Sequence, residues 1–283
     1  MEKEQIKNLL GSYGLKPNFT YGQNFLLDDG VLDTMLKVAK VSKEDSILEI
    51  GPGVGNLTKK LCETAGFVLS VEKDPKFYPL LKAIKKQHKN LRFEIDDILK
   101  FNFSKALEEF DSDRVQTFGL SYKVVANIPY YVTGKILQVF LNTTHKPTSI
   151  TVLVQKEVAK NITAKQGDLS VLPISVQLYG EPKLVEVVPS ESFYPEPKVD
   201  SAILHIDLFK KPRFVLKDEK KFFSIVKACF AGKRKQIHNT LVNNLRLEKE
   251  KVLEVLKQNK IDPSVRPQDL SIQNWIDLTN SLE

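Results

Sequence analysis

Five short apolar runs constrain this chain more than any other feature: Ser46–Ile50, Phe67–Val71, Leu91–Ile95, Lys123–Ala126 and Ser149–Val154. Helical patterns follow four of them: from Asn56 or Thr58 to about Ala65, from Asp74 onward, through about Leu141, and over Lys156–Ala164. Asp74-Pro75 is a helix-start signature, a capping carboxylate followed by the ring that suits the first helical position. Strands joined by helical crossovers read as parallel, with helices covering both faces of the sheet. The expected fold class is therefore α/β, a Rossmann-like doubly wound sheet. Ligands of such sheets bind beyond the carboxyl ends of the strands. The Gly51–Gly55 loop, Glu72, Asp97 and Asn127 all fall there.

The pattern then changes. Ile174–Tyr179, Leu184–Val188 and Ala202–Leu208 read as strands joined by Pro-rich turns, an antiparallel addition to the parallel sheet. Beyond Asp218 the periodicity is only helical, at Lys221–Phe230, Lys233–Val242, Glu248–Gln258 and Ile272–Leu282. A chain of 283 residues can hold a second small domain. The expected division is residues 1–209 as the Rossmann-like domain and 210–283 as an all-α domain, with Phe209–Pro212 as linker.

Charge separates the same two regions. The formal net charge is +7. Lys210–Lys235 holds ten basic and two acidic residues, which leaves 32 basic and 33 acidic elsewhere. A local cationic excess is the footprint expected for a phosphate-backbone partner, although a solvated Lys-rich helix would read alike. Lys227, Lys233, Arg234 and Lys235 are the candidate RNA contacts, with Lys233–Lys235 expected at a helix start and Lys227, Phe230 and Arg234 on one face.

The loop Glu49-Ile50-Gly51-Pro52-Gly53-Val54-Gly55 has the spacing G-x-G-x-G. The dinucleotide phosphate loop is G-x-G-x-x-G, so the ligand expected here lacks a pyrophosphate. S-adenosylmethionine fits that requirement; an ordinary strand-to-helix turn would look similar. Glu72, at the next strand end, is placed to accept both ribose hydroxyls, and Asp97 an adenine amine. Asn127-Ile128-Pro129-Tyr130 is the most informative stretch. An adenine amine is a weak nucleophile because its lone pair is delocalised into the ring. Acceptors that hold its protons favour a pyramidal nitrogen. The Asn127 side chain offers one acceptor, and the Ile128 carbonyl a second, since Pro129 keeps Ile128 out of the helical region. Tyr130 offers a face on which an extruded base can stack. Phe193, in the proline-stiffened loop Phe193–Ser201, is available to cover the other face, and the polar groups of Gln23–Leu26 to close over the cofactor.

These segments resemble the KsgA/RsmA (Dim-type) ribosomal RNA adenine dimethyltransferases. The likeness rests on Gly22–Leu26, Glu49–Gly55, Glu72, Asp97, Asn127–Tyr131, Val154–Ala159 and Phe193–Ser201 in this order. It implies S-adenosylmethionine contacts at Asn24, Leu26, Gly51, Gly53, Glu72, Asp97 and Asn127. It also implies dimethylation of two neighbouring adenosines near the 3′ end of 16S rRNA, in the 30S subunit, late in assembly. Three departures stand out: Gly134-Lys135 after the tyrosines, a compact Ala164–Asp168 loop, and Gly232–Leu241 in place of an Arg-Arg-Lys wording. The alternatives are an Erm-type enzyme acting on 23S rRNA, a non-catalytic RNA-binding assembly factor, and a small-molecule methyltransferase. The basic tail disfavours the last.

Cys62 and Cys229 have no pairing pattern, and the four histidines do not cluster with them, so neither a disulfide nor a metal is expected. No apolar run approaches the roughly 20 residues that span a bilayer. The Met1–Leu10 segment lacks the apolar core of a signal peptide. A cytoplasmic monomer without membrane partners is the expectation.

Overall fold

The computed structural model describes residues 2–110 and 121–282. Its strands are β1 (Phe25–Leu26), β2 (Ser46–Ile50), β3 (Phe67–Glu72), β4 (Leu91–Ile95), β5 (Lys123–Asn127), β6 (Ser149–Gln155), β7 (Gly180–Val188), β8 (Phe193–Tyr194) and β9 (Ser201–Leu208). Its α-helices are α1 (Lys3–Ser12), α2 (Asp29–Val38), α3 (Asn56–Thr64), α4 (Tyr78–Gln87), α5 (Phe103–Phe110), α6 (Thr133–Asn142), α7 (Lys156–Ile162), α8 (Val171–Gln177), α9 (Glu219–Ala231), α10 (Ile237–Leu245), α11 (Lys249–Gln258) and α12 (Ile272–Ser281).

The chain divides into two compact units, Met1–Ala159 with Pro182–Leu208, and Lys160–Glu181 with Phe209–Glu283. The first contains the sheet, in the order β4-β3-β2-β5-β6-β9-β7. β2 to β6 run parallel, and β9 returns antiparallel on β6. Strand order therefore reverses between β2 and β5, and the crevice of a doubly wound sheet opens at that switch point. β2 and β3 are buried along their whole length, as parallel strands covered on both faces must be. Ile47, Leu61, Leu81 and Leu91 are fully buried in one core with Ile6 of α1 and Met35 of α2. Each such side chain contributes roughly 1.5–3 kcal/mol through burial. Asp28 caps α2, its Oδ1 accepting from the Gly30 and Val31 amides.

The second unit has its own core. Phe222, Val226, Ile237, Leu241, Val252 and Trp275 come from four C-terminal helices, and Leu169, Ile174 and Leu178 join them. Residues 160–181, expected in the Rossmann-like domain, instead group with these helices. The strand expected at Ile174–Tyr179 is corrected too, since the structure has α8 there. Val171, Ile174 and Val176 are β-branched, which biases the reading towards strand. Ile174 and Leu178, however, lie four apart and are buried together, and burial decides. Pro173 sits in the first turn, where no amide donor is needed. The Gln177 amide donates to the Ile162 and Ala164 carbonyls, tying α8 to α7.

Lys233–Lys235 is also not at a helix start. Gly232 closes α9, and Gly232–Lys235 forms a turn closed by the Lys235 amide on the Gly232 carbonyl at 2.8 Å. The expected continuous face of Lys227, Phe230 and Arg234 is therefore broken. Lys227 is exposed on α9, the Phe230 ring lies 5.8 Å from that of Trp275, and Lys233, Arg234 and Lys235 are exposed on the turn. Asp218 caps α9, and Ser271 forms a capping box with Asn274 at α12.

Candidate active site

The carboxyl ends of β2, β3, β4 and β5 surround a cleft of about 1100 Å³, open to solvent. It is lined by Asn24, Leu26, Gly51, Gly53, Glu72, Asp97, Asn127, Ile128 and Tyr130, so the sequence-predicted cofactor and target residues converge on one space. Phe193 does not join them. It is 2% exposed within the core, and β8 pairs antiparallel with β1, Phe193 opposite Leu26. Its side chain packs in the core and is not among the residues that line the cleft. The basic residues Lys227, Lys233, Arg234 and Lys235 belong to the other unit.

The glycine loop follows β2 because its backbone needs positive φ: Gly51 is at +64°, Gly53 at +52° and Gly55 at +81°. A side chain at Gly53 would lie 2.9 Å from the Phe25 ring, and one at Gly55 would collide with Ile84 Cδ1. At Gly51 it would meet no protein atom within 4 Å, so that wall is open to a ligand. Glu72 is held rigidly: the Gly53 amide donates to Oε2 at 3.0 Å and the Asp74 amide to Oε1 at 2.9 Å. Burial pushes its pKa up, and the two amides oppose that shift. Asp97 Oδ1 accepts from the Leu99 amide and Oδ2 pairs with Lys73 Nζ at 3.0 Å. Burial alone would raise its pKa, but the Leu99 amide and the Lys73 and Lys100 charges hold it below the usual carboxylate range.

Glu49 is a further acid on the cleft wall, 1% exposed, with Ser70 Oγ donating to its Oε2 at 2.6 Å. Burial pushes its pKa up to about 7, against the Ser70 hydrogen bond.

At the other side of the switch point, Asn127 Nδ2 donates to the Asn24 carbonyl at 2.9 Å. Only the amide nitrogen can donate there, so the side-chain oxygen keeps its acceptor capacity. Asn56, the first residue of α3, makes the matching bond, its Nδ2 donating to the Leu26 carbonyl at 3.0 Å. The carbonyls of residues 24 and 26 are thus gripped from two strand ends. Asn56 Oδ1 is buried without a partner among the described residues, an acceptor on the cleft wall that a bound donor can satisfy. Ile128 is buried, and Pro129 takes φ −62° and ψ 131°, which starts the single 3₁₀ turn Tyr130–Val132. The Tyr130 hydroxyl bonds Ser201 Oγ at 2.6 Å, fixing a half-buried ring, and burial raises its pKa.

Asn56, Ser201, Lys73 and Lys156 were not singled out by sequence. Asn56 directly follows the last glycine, and that adjacency was the one available signal. Lys156 reaches Asp200 Oδ2 at 3.1 Å, and its amide donates to the Asp200 carbonyl, tying one recognised segment to another. Among the described residues no group of three or more His, Cys, Asp or Glu is arranged to hold a metal ion. None of the described helices is long and apolar enough to cross a membrane.

The chain matches the family model "Ribosomal RNA adenine dimethylase" over residues 14–283. It is 40% identical over 271 residues to "Ribosomal RNA small subunit methyltransferase A" of Dehalococcoides mccartyi strain CBDB1, covering 96% of this chain and 90% of that protein. It is 38% identical to the protein of the same name from Alkaliphilus oremlandii, covering 99% and 96%. Among solved structures, a dimethyladenosine transferase from Plasmodium falciparum aligns with a TM-score of 0.75 at 25% identity, over 90% of this chain and 95% of that one. The 23S rRNA methyltransferase ErmE aligns at 0.71 and 25% identity, over 92% and 99%. A match that spans the glycine loop, the Asn127 turn and the helical tail alike leaves one conclusion: the chain belongs to the ribosomal RNA adenine dimethylase family.

Proposed function

We propose that this protein uses S-adenosylmethionine to dimethylate N6 of two adjacent adenosines near the 3′ end of 16S rRNA, in the 30S subunit late in its assembly, acting as a cytoplasmic monomer. The observation that carries the reading is the Asn127 amide. One of its two hydrogens is given to the Asn24 carbonyl, which fixes the nitrogen there and turns the oxygen, an acceptor, to the switch-point cleft.

The residues present fit the cofactor. Glu72 and Asp97 are fixed carboxylates at successive strand ends, Gly51 leaves open space, and Asn56 Oδ1 has no partner among the described residues. When bound, S-adenosylmethionine supplies a sulfonium-activated methyl group, so no base of high pKa is required. The chain's part is positioning. Asn127 Oδ1 and the Ile128 carbonyl accept the two amine protons and hold the lone pair out of the ring plane. Tyr130, its hydroxyl anchored by Ser201, gives the extruded base a fixed face. The exposed cations Lys227, Lys233, Arg234 and Lys235 hold the RNA backbone without reading sequence.

Labelled S-adenosylmethionine offered with unmethylated 30S particles, naked 16S rRNA and naked 23S rRNA tests the reading. N6,N6-dimethyladenosine in the particles, reduced at least 10²-fold by Asn127→Ala, is the expected result. Label only in 23S rRNA would identify a resistance-type enzyme, and RNA binding without label an assembly factor.

A further inference from the structure

Tyr130 and Tyr131 are consecutive residues of one 3₁₀ turn, and their environments are opposite. At three residues per turn, neighbouring side chains diverge by about 120°. Tyr130 is half-buried, its hydroxyl on Ser201. Tyr131 is 60% exposed, yet it lines the same cleft. Its ring rests on a prepared surface: Gly22 lies beneath it at φ +62°, where any side chain would come within 3.3 Å of both Tyr131 Cε1 and Pro129 Cβ. A bulkier residue at position 22 would displace the ring. Lys73, half-exposed and paired with Asp97 Oδ2 at 3.0 Å, lines the same cleft as Tyr131 and Tyr21.

We propose that Tyr131 is the stacking platform for the unpaired nucleobase next to the target adenine, with Lys73 beside the intervening phosphate. This rests on the functional reading above. RNA is continuous, so a base drawn onto Tyr130 leaves its covalent neighbour at the mouth of the cleft. The exposed aromatic face there is Tyr131, and a cation stands next to it. Stacking on an aromatic ring accepts any base, and holding the neighbour in place lets two consecutive adenines present themselves in turn. Tyr131 is thus a specificity-determining residue for RNA with two unpaired bases in sequence.

The test is a double-perturbation cycle. Methyl transfer to small-subunit particles is measured for the unaltered protein, Tyr131→Leu and Tyr131→Phe. The particles carry either the normal neighbouring nucleotide or an abasic one. The expectation is that Tyr131→Leu raises KM for particles about tenfold while the Kd for S-adenosylmethionine is unchanged, and that Tyr131→Phe matches the unaltered protein. The abasic substitution should raise KM similarly for the unaltered protein and add little for Tyr131→Leu. Independent, additive effects, or equal KM in both variants, would overturn the platform. A change in cofactor affinity would reassign Tyr131 to cleft structure and overturn it equally. Absence of transfer by the unaltered protein would remove the functional reading itself, a different result from transfer that is indifferent to Tyr131.

Discussion

Glu49 is the residue whose environment departs furthest from the ordinary. Its neutral form persists in the folded chain up to about pH 7, through burial, against an ordinary value of 4.5. A raised acid pKa means the folded state holds its proton where the unfolded chain has lost it. The stability this contributes is complete below about pH 4.5 and is lost as pH rises towards 7, up to about 3 kcal/mol. Glu49→Gln keeps an acceptor for Ser70 and cannot ionise. The gap in unfolding midpoint between the variant and the unaltered protein should therefore widen in the variant's favour from pH 5 to pH 8. Glu72 shifts in the same direction and is present in both proteins, so it enters the gap only through its repulsion of Glu49. A gap independent of pH across that range would sink the idea. Glu49 was legible in sequence only as the residue before the glycines, because burial is a property of the assembled sheet. Asn127 was more legible, since Pro129 declares a turn and the amide type declares the chemistry. Phe193 shows the converse: in sequence an aromatic in a Pro-rich loop looks available, whereas in the structure β8 pairs with β1 and the side chain is buried.

At the scale of elements, the motifs turn out to bind one another. Asn127 at the end of β5 holds the Asn24 carbonyl before β1, Asn56 of α3 holds Leu26 of β1, Tyr130 holds Ser201 of β9, and Lys156 of α7 holds Asp200. Sequence reading located each segment but not these links, which depend on distances of 30 to 103 positions along the chain. Parallel strands and their helices were found because their periodicities are local. α8 was not, because seven residues rich in β-branched side chains become helical only through packing on the C-terminal helices. The glycine loop gives a clean test of element geometry. Gly53→Ala must hold a left-handed backbone, at roughly 1–2 kcal/mol, and push Phe25 aside. Since Phe25 lies between Asn24 and Leu26, both amide grips should loosen, and affinity for S-adenosylmethionine should fall at least tenfold by calorimetry. Gly134→Ala, in α6 with no atom within 4 Å of the new methyl, should instead raise the unfolding free energy by about 0.5–1 kcal/mol. Equal effects at the two positions would mean the loop geometry carries no special constraint.

For the whole molecule, the division of chemistry follows the division of the fold. The cleft belongs to the unit built on the sheet, and the cationic excess of Lys210–Lys235 to the unit built on helices. Cofactor affinity and RNA affinity should then be separable by mutation. Lys233, Arg234 and Lys235 are exposed on one turn after α9, free of the helix geometry that sequence assigned them, and three adjacent cations on a turn can follow a flexible phosphate backbone. Each phosphate contact releases condensed counterion, so the dependence of log affinity on log salt should lose about one unit of slope per cation removed. Replacing all three by Gln should flatten the slope by about 2 to 3, weaken particle binding most at low salt, and leave the Kd for S-adenosylmethionine unchanged. Filter binding of 30S particles between 50 and 300 mM salt, with calorimetry of the cofactor alongside, reads both quantities. An unchanged slope would show that these cations do not touch phosphate. A loss of cofactor affinity would show that the two units do not divide the work, and the assignment of RNA grip to the helical unit would have to be abandoned.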